Sequence, residues 1–235
     1  MSENADKIQV ADLIDESPNT RVEMAVDKAM SVYLTRLKMG MIDEGLEASF
    51  QMHLAGLLRD ALELLTIDKN ERFVVELEKN MGDKNYVDIC VEYHKNGHLS
   101  ECYPIELKFK KKSQGAAPQN VIECFKDIYN LEQLANKQFE GKEIKFCYFI
   151  FLTNHKIYTE KPSNEKDIRA KFPMWDGAQI IPNQIYKDDS KTAESVFKKY
   201  PKGFKFKYNY DINYQKITTH KNKNLWFFKL KIPPK

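Results

Sequence analysis

Two stretches of alternating apolar and polar residues, 86–93 and 102–109, flank the dipeptide Asn96-Gly97. Period-two alternation means half-buried strands, and Asn-Gly between them is the strongest short signal for a β-hairpin. Val87, Ile89, Val91 and Tyr93 share one face of the first strand, with Asp88, Cys90 and Glu92 on the other. Tyr103, Ile105, Leu107 and Phe109 share one face of the second, with Glu106 and Lys108 opposite. Cross-strand partners lie on the same face of a sheet. A two-residue loop at Asn96-Gly97 would pair residues whose numbers sum to 193, setting apolar against charged side chains. A sum of 194 matches like with like. It requires a three-residue loop or one bulged residue, which Pro104 would tolerate. On that register Asp88 faces Glu106, and Lys108 follows on the same face.

The rest of the chain alternates between two periods. Residues 19–38 carry Val22, Ala25, Val26, Ala29, Tyr33 and Leu37 at helical spacing, with Asn19 or Thr20 as the cap. Residues 45–65 form a second amphipathic helix and 119–137 a third. Residues 72–78 read as a strand, and 144–152, apolar on both faces, as a central strand. The order is α-α-β-β-β-α-β. Strands return at 204–214 and 225–232, while 154–200 shows no clear period. The expected class is α/β: a mixed sheet flanked by helices, with a C-terminal β extension over 200–235. Residues 1–18 read as a flexible arm and 19–235 as one domain.

Composition excludes several classes. Hydrophobic residues are 42% and charged residues 30% of the 235, so the chain has material for a core and is not disordered throughout. No apolar run approaches the ~18–20 residues of a membrane span. The acidic N-terminal stretch lacks an apolar segment, so no secretory signal is expected and the location reads as cytoplasmic. Cys90, Cys102, Cys124 and Cys147 lack Cys-x-x-Cys spacing and read as reduced core thiols rather than zinc ligands. Charge is uneven: residues 1–70 carry 7 basic and 13 acidic groups, whereas 191–235 carry 12 lysines and 2 acids. A basic end region suggests a polyanion partner, or else a solvated lysine-rich surface.

The polar face of the hairpin can carry chemistry. Two carboxylates on adjacent strands, Asp88 and Glu106, can hold a hard cation such as Mg²⁺. Such a cation lowers the pKa of a bound water and offsets charge on a phosphoryl oxygen. Lys108 beside that water could orient it or accept its proton. The alternative is an ordinary solvated face, on which Glu92 and Lys110 also lie.

Asp88, a hairpin, then Ile105-Glu106-Leu107-Lys108-Phe109 resembles the core motif of the PD-(D/E)XK nuclease superfamily, the restriction-endonuclease-like fold. The likeness covers residues 45–152, and Val87 stands where that family often has Pro. It implies Mg²⁺-dependent cleavage of DNA, expected to be double-stranded, with Mn²⁺ able to substitute. It also implies metal ligation by Asp88, Glu106 and the Leu107 carbonyl, and Lys108 acting on the attacking water. The leading helix of the family often adds a carboxylate, a place taken here by Glu47, which shares a helical flank with Gln51, Leu54 and Leu58. Restriction enzymes of this fold are often homodimers. The competing readings are a nucleic-acid-binding module or an interaction protein that shares the sheet without cutting.

Further basic residues could meet DNA phosphates: Lys110, Lys111 and Lys112 beside the site, and Lys205, Lys207, Lys229 and Lys231 on the C-terminal strands. On those strands Phe204, Phe206, Tyr208 and Tyr210 alternate with polar residues. They read as core-packing rings in preference to a base-stacking platform. His94 and His98 flank the hairpin turn and read as surface histidines.

Overall fold

The computed structural model describes residues 17–82, 85–115 and 117–234. The expected arm over 1–18 lies outside these apart from Ser17 and Pro18. Helix α1 is Pro18–Met39. Its cap is Ser17, whose Oγ accepts from the Thr20 N–H at 3.3 Å, and not Asn19 or Thr20. Pro18 explains the shift: it lacks an N–H and its fixed φ suits the first helical position. Asn19 instead accepts the Tyr103 hydroxyl at 2.8 Å. Gly40 ends α1 in the left-handed region at φ 73°. Helix α2 is Glu47–Leu64. Strands β1 (Glu71–Asn80), β2 (Tyr86–Lys95) and β3 (His98–Lys110) follow as an antiparallel meander.

Helix α3, Ala117–Leu134, connects β3 to β6, Cys147–Thr153, by way of the short pair β4 (Gln138–Phe139) and β5 (Lys142–Ile144). Strand β6 lies parallel to β3, with Glu106 beside Phe149 and Lys108 beside Phe151. A helical crossover is what a parallel neighbour requires. All seven residues of β6 are buried, as expected of a central strand.

The C-terminal third completes the sheet. Strands β7 (Ala178–Ile180) and β8 (Ile185–Tyr186) and helices α4 (Ile168–Lys171) and α5 (Glu194–Phe197) occupy the segment that lacked a clear period. The expected strand over 204–214 is divided into β9 (Phe204–Lys205) and β10 (Tyr210–Ile212), which pair with β8 and β7. Strand β11 (Gln215–Thr218) and β12 (Asn224–Ile232) extend the main sheet beyond β6. Its order is β1-β2-β3-β6-β12-β11, mostly antiparallel, with β4 and β5 attached beside β3.

The sheet separates two cores. On one face Ile89, Val91, Tyr103, Ile105, Leu107 and Ile150 pack against α1 and α2. On the other Cys90, Cys102, Phe149 and Phe151 pack against α3 and the C-terminal strands. Val87 departs from the parity of its strand and packs in this second layer. The distortion coincides with Glu78 on the neighbouring β1, a non-glycine residue held at φ 51°. Phe204, Phe206, Tyr210 and Phe228 are all under 5% exposed. Each such buried ring is worth roughly 1.5–3 kcal/mol, so these aromatics form core and offer no stacking platform.

A buried ion pair ties α1 to the edge of the sheet. Arg21 and Glu71 have side chains only 3% and 5% exposed. Arg21 Nη2 donates to Glu71 Oε2 at 2.9 Å, Tyr93 donates to the same oxygen at 3.0 Å, and the Ile67 N–H donates to Oε1 at 2.8 Å. The Arg21 hydrogen bond, reinforced by the Ile67 and Tyr93 donors, overcomes burial and holds the Glu71 carboxyl down at about 2. A depressed carboxylate stabilises the fold above its unfolded value of 4.5 and loses that effect as pH falls to about 2. Arg21→Ala strands a buried carboxylate and is expected to cost roughly 3–5 kcal/mol at pH 7. Urea unfolding of the parent and variant at pH 7 and pH 3 should show a gap that narrows in acid. A gap that does not narrow would mean that Glu71 does not carry the effect.

Candidate active site

The hairpin pairs on the sum of 194: Ile89 opposes Ile105, Val91 opposes Tyr103 and Glu92 opposes Cys102. The extra residue is Ser100, since Tyr93 opposes Glu101 while His94 opposes Leu99. The bulge therefore sits next to the turn and not at Pro104. Its place follows from Asn96 and Gly97, both at positive φ (53° and 79°), which make a two-residue turn that by itself sets 193. One bulged residue then moves the remainder of the strand to 194.

The other end of the hairpin is where the chemistry gathers. Paired residues stop at Ile89 and Ile105, so the next backbone donors on that side of β3 need other acceptors. Asp88 Oδ2 accepts from the Leu107 N–H at 2.6 Å. Glu47 Oε2, from the first turn of α2, accepts from the Phe109 N–H at 2.8 Å. The N–H and C=O of a strand residue face the same neighbour, so the Leu107 carbonyl also faces the Asp88 side. Gln51, one turn after Glu47, donates to the Asp88 carbonyl and to Glu78 Oε1, each at 2.7 Å. Leu54 and Leu58, on the same flank, are buried in the core instead.

Glu106 and Lys108 project toward α3. Lys108 Nζ lies 3.0 Å from Glu106 Oε1 and 3.1 Å from Asp127 Oδ2. Asp127 was not singled out in the sequence. It does carry a signal: it falls three residues after Cys124 and four before Leu131, inside the apolar stripe of α3. A carboxylate there is buried and needs a partner. Lys110 Nζ stands 3.9 Å from Glu47 Oε2. A cleft of about 90 Å³ opens beside Glu106 and Asp127, with Val87, Asn130 and Leu131 on its wall. Asp88 and Lys108 are not on that wall; Asp88 is turned to the Leu107 N–H and Lys108 to its two carboxylates.

The electrostatics follow from this crowding. Burial pushes the Glu106 carboxyl up to about 8; Asp127 and Asp88 add to the shift and Lys108 opposes it. Burial likewise pushes Asp88 up to about 6, against the Leu107 hydrogen bond and Lys108. Burial alone would lower the Lys108 pKa, but Asp127, Glu106 and Glu47 outweigh it and raise it. Lys108 is thus held protonated. The donors that Asp88, Glu106 and the Leu107 carbonyl could offer are all oxygen, which suits Mg²⁺ or Mn²⁺ and not a soft metal. Two desolvated carboxyls with raised pKa values are what a site for a divalent cation presents before the cation arrives.

The basic residues divide by face. Lys111 Nζ donates to the Glu44 carbonyl at 3.2 Å and lies over the Phe109 ring, and the Lys112 N–H is bound by Asn154 Oδ1 at 2.8 Å. The side chains of Lys112, Lys205 and Lys207 are exposed. Lys229 and Lys231 point to the opposite side of the sheet, where they pair with Asp27 and Glu23 of α1. His94 does not behave as a surface histidine: its Nε2 lies 3.0 Å from Glu92 Oε2. No helix among the described residues is long and apolar enough to cross a membrane. No family model, curated protein or solved structure matches the chain.

Because folding holds protons on Asp88 and Glu106, their neutral forms contribute stability that is full below the ordinary values of 3.8 and 4.5. That contribution fades as pH rises through about 6 for Asp88 and about 8 for Glu106. Metal binding needs both deprotonated. Calorimetric Mg²⁺ affinity should therefore rise between pH 6 and pH 8, by up to roughly tenfold per unit. Glu106→Gln should weaken Mg²⁺ binding and flatten this rise. Equal affinity at the two pH values would show that these carboxyls do not hold the ion.

Proposed function

We propose that the protein is a Mg²⁺-dependent deoxyribonuclease, hydrolysing phosphodiester bonds at the Asp88, Glu106 and Lys108 site. The observation that carries the reading is the gathering of these three residues where the β2–β3 ladder ends. The order β1-β2-β3-α3-β6, with β6 parallel to β3, agrees with the restriction-endonuclease-like core that the motif resembles.

Asp88, Glu106 and the Leu107 carbonyl would hold the cation. Bound there, it supplies a water of lowered pKa and offsets charge on a phosphoryl oxygen. Lys108 stays protonated between Glu106 and Asp127, so its role is to orient the attacking water and donate to developing negative charge, not to accept a proton. Asp127 is a positioning residue that keeps the ammonium charged and aimed. Glu47 and Asp88 fix the end of β3 through the Phe109 and Leu107 amides. Lys112, Lys205 and Lys207 are free to meet phosphates, with Lys110 and Lys111 nearer the site. Lys229 and Lys231 are left to brace α1. A single site cuts one strand at a time, and a homodimer would supply a second for double-stranded DNA.

One observation favours a second reading. Lys108 already stands at ion-pair distance from both Glu106 and Asp127 without a metal, as it would in a nucleic-acid-binding module that does not cut. Plasmid nicking separates the two. The parent protein should nick supercoiled DNA with Mg²⁺ and not with chelator. Asp88→Asn should lose both cation affinity and nicking. Lys108→Ala should lose roughly 10²–10³-fold in rate while calorimetry still shows cation binding. DNA binding by the parent with no Mg²⁺-dependent nicking would establish the binding module, and undiminished nicking by Lys108→Ala would make Lys108 a structural partner of Glu106 and Asp127 with no part in cleavage.

A further inference from the structure

The register that pairs Ile89 with Ile105 also gathers a second donor set, further along β2 and β3 on the face toward α3. Glu92 stands directly opposite Cys102, and Cys90 opposite Pro104, so Cys90 and Cys102 are diagonal neighbours. One ligand atom from each of Cys90, Glu92 and Cys102 lies within 4.8 Å of the others. All three residues are buried, both thiols completely. His94, next on this face of β2, brings its Nε2 to 3.0 Å from Glu92 Oε2, and its own Nδ1 is buried with no hydrogen-bond partner among the described residues.

We propose that Cys90, Cys102, Glu92 and His94 form a closed site for a tetrahedral, thiophilic divalent ion of the Zn²⁺ class, distinct from the all-oxygen site at Asp88 and Glu106. Bonds of ~2.0–2.3 Å in a tetrahedron put ligand atoms ~3.3–3.8 Å apart, so the Cys90, Glu92 and Cys102 donors need to move by little, and the His94 ring, already against Glu92, would swing in as the fourth. The donor chemistry is complementary to that of the other site: two sulfurs and an imidazole select against Mg²⁺. Charge balances as well. Entry of one divalent ion displaces two thiol protons, so the buried site carries the same net charge before and after. Lys79 Nζ, 2.9 Å from Glu92 Oε1, supplies the neighbouring positive charge in both states. A disulfide fits less well, because diagonal Cα atoms lie ~7–8 Å apart, beyond the ~4.4–6.8 Å usual for a bridge. The pair is twelve residues apart in sequence, which is why spacing alone gave no metal signature. With all four ligands on β2 and β3, the ion would clamp the hairpin on the register that its catalytic end depends on.

The test uses Co²⁺ as a spectroscopic probe, with the full chain refolded in its presence. The expected result is one Co²⁺ per chain, with a near-ultraviolet thiolate charge-transfer band and intense visible bands of tetrahedral coordination. Cys90→Ser and Cys102→Ser should each weaken the charge-transfer band, and the double variant should abolish it. Glu106→Gln should retain it in full, which keeps this site separable from the proposed nuclease site. Far-ultraviolet circular dichroism of the serine variants shows whether they fold. Where they do not, Zn²⁺ competing the Co²⁺ bands out of the parent, with Mg²⁺ in excess leaving them intact, carries the same conclusion. The proposal is overturned by octahedral bands without charge transfer, by bands that survive in a folded double variant or vanish in Glu106→Gln, or by a thiol count showing Cys90 and Cys102 oxidised to a disulfide.

Discussion

The early end of the β2–β3 ladder is the constraint on which the rest depends. Past Ile89 and Ile105 the backbone amides of Leu107 and Phe109 lose their strand partners, and a buried amide left unpaired costs roughly 1–3 kcal/mol. The chain answers with carboxylates: Asp88 from β2 takes one amide and Glu47 from α2 takes the other. The groups that repair the sheet are therefore the groups that build the site. This couples α2 to the candidate-site end of the hairpin, and Gln51, bound to the Asp88 carbonyl, strengthens the coupling.

Charge then organises what geometry has gathered. Among the described residues, the four carboxylates Asp88, Glu106, Asp127 and Glu47 have Lys108, Lys110 and Lys126 as close counter-charges. The imbalance appears as raised carboxyl pKa values at Asp88 and Glu106 and as a raised, firmly protonated Lys108. A divalent cation bound there would reverse the first effect and leave the second in place, since Asp127 would continue to hold the ammonium. The proposed zinc-class site sits further along the same face with softer donors, so one hairpin offers two ions different chemistry.

Much of this is legible in the sequence because parity is a strong code. Alternation over 86–93 and 102–109 was enough to reject 193 in favour of 194, and the structure pairs on 194. The three helices and the central strand follow from apolar period in the same way. What escaped has physical reasons. The bulge lies at Ser100 because the turn geometry of Asn96-Gly97 sets the register first. Asp127 was hidden among the polar letters of an amphipathic helix, and its pairing with Lys108 gives it meaning. Lys229 and Lys231 look like a phosphate-binding stripe, yet they are spoken for by Asp27 and Glu23, some two hundred residues earlier. Pairings at that separation leave no local trace. The Cys90–Cys102 diagonal likewise exists only once the register is known.

Locating a bound ion tests the central claim most directly. Crystals soaked in Mn²⁺ should give an anomalous peak about 2.0–2.3 Å from carboxylate oxygens of both Asp88 and Glu106, with the Leu107 carbonyl in the same shell and Lys108 still beside Asp127. A peak elsewhere, or none at a Mn²⁺ concentration that supports DNA cleavage, would contradict the account.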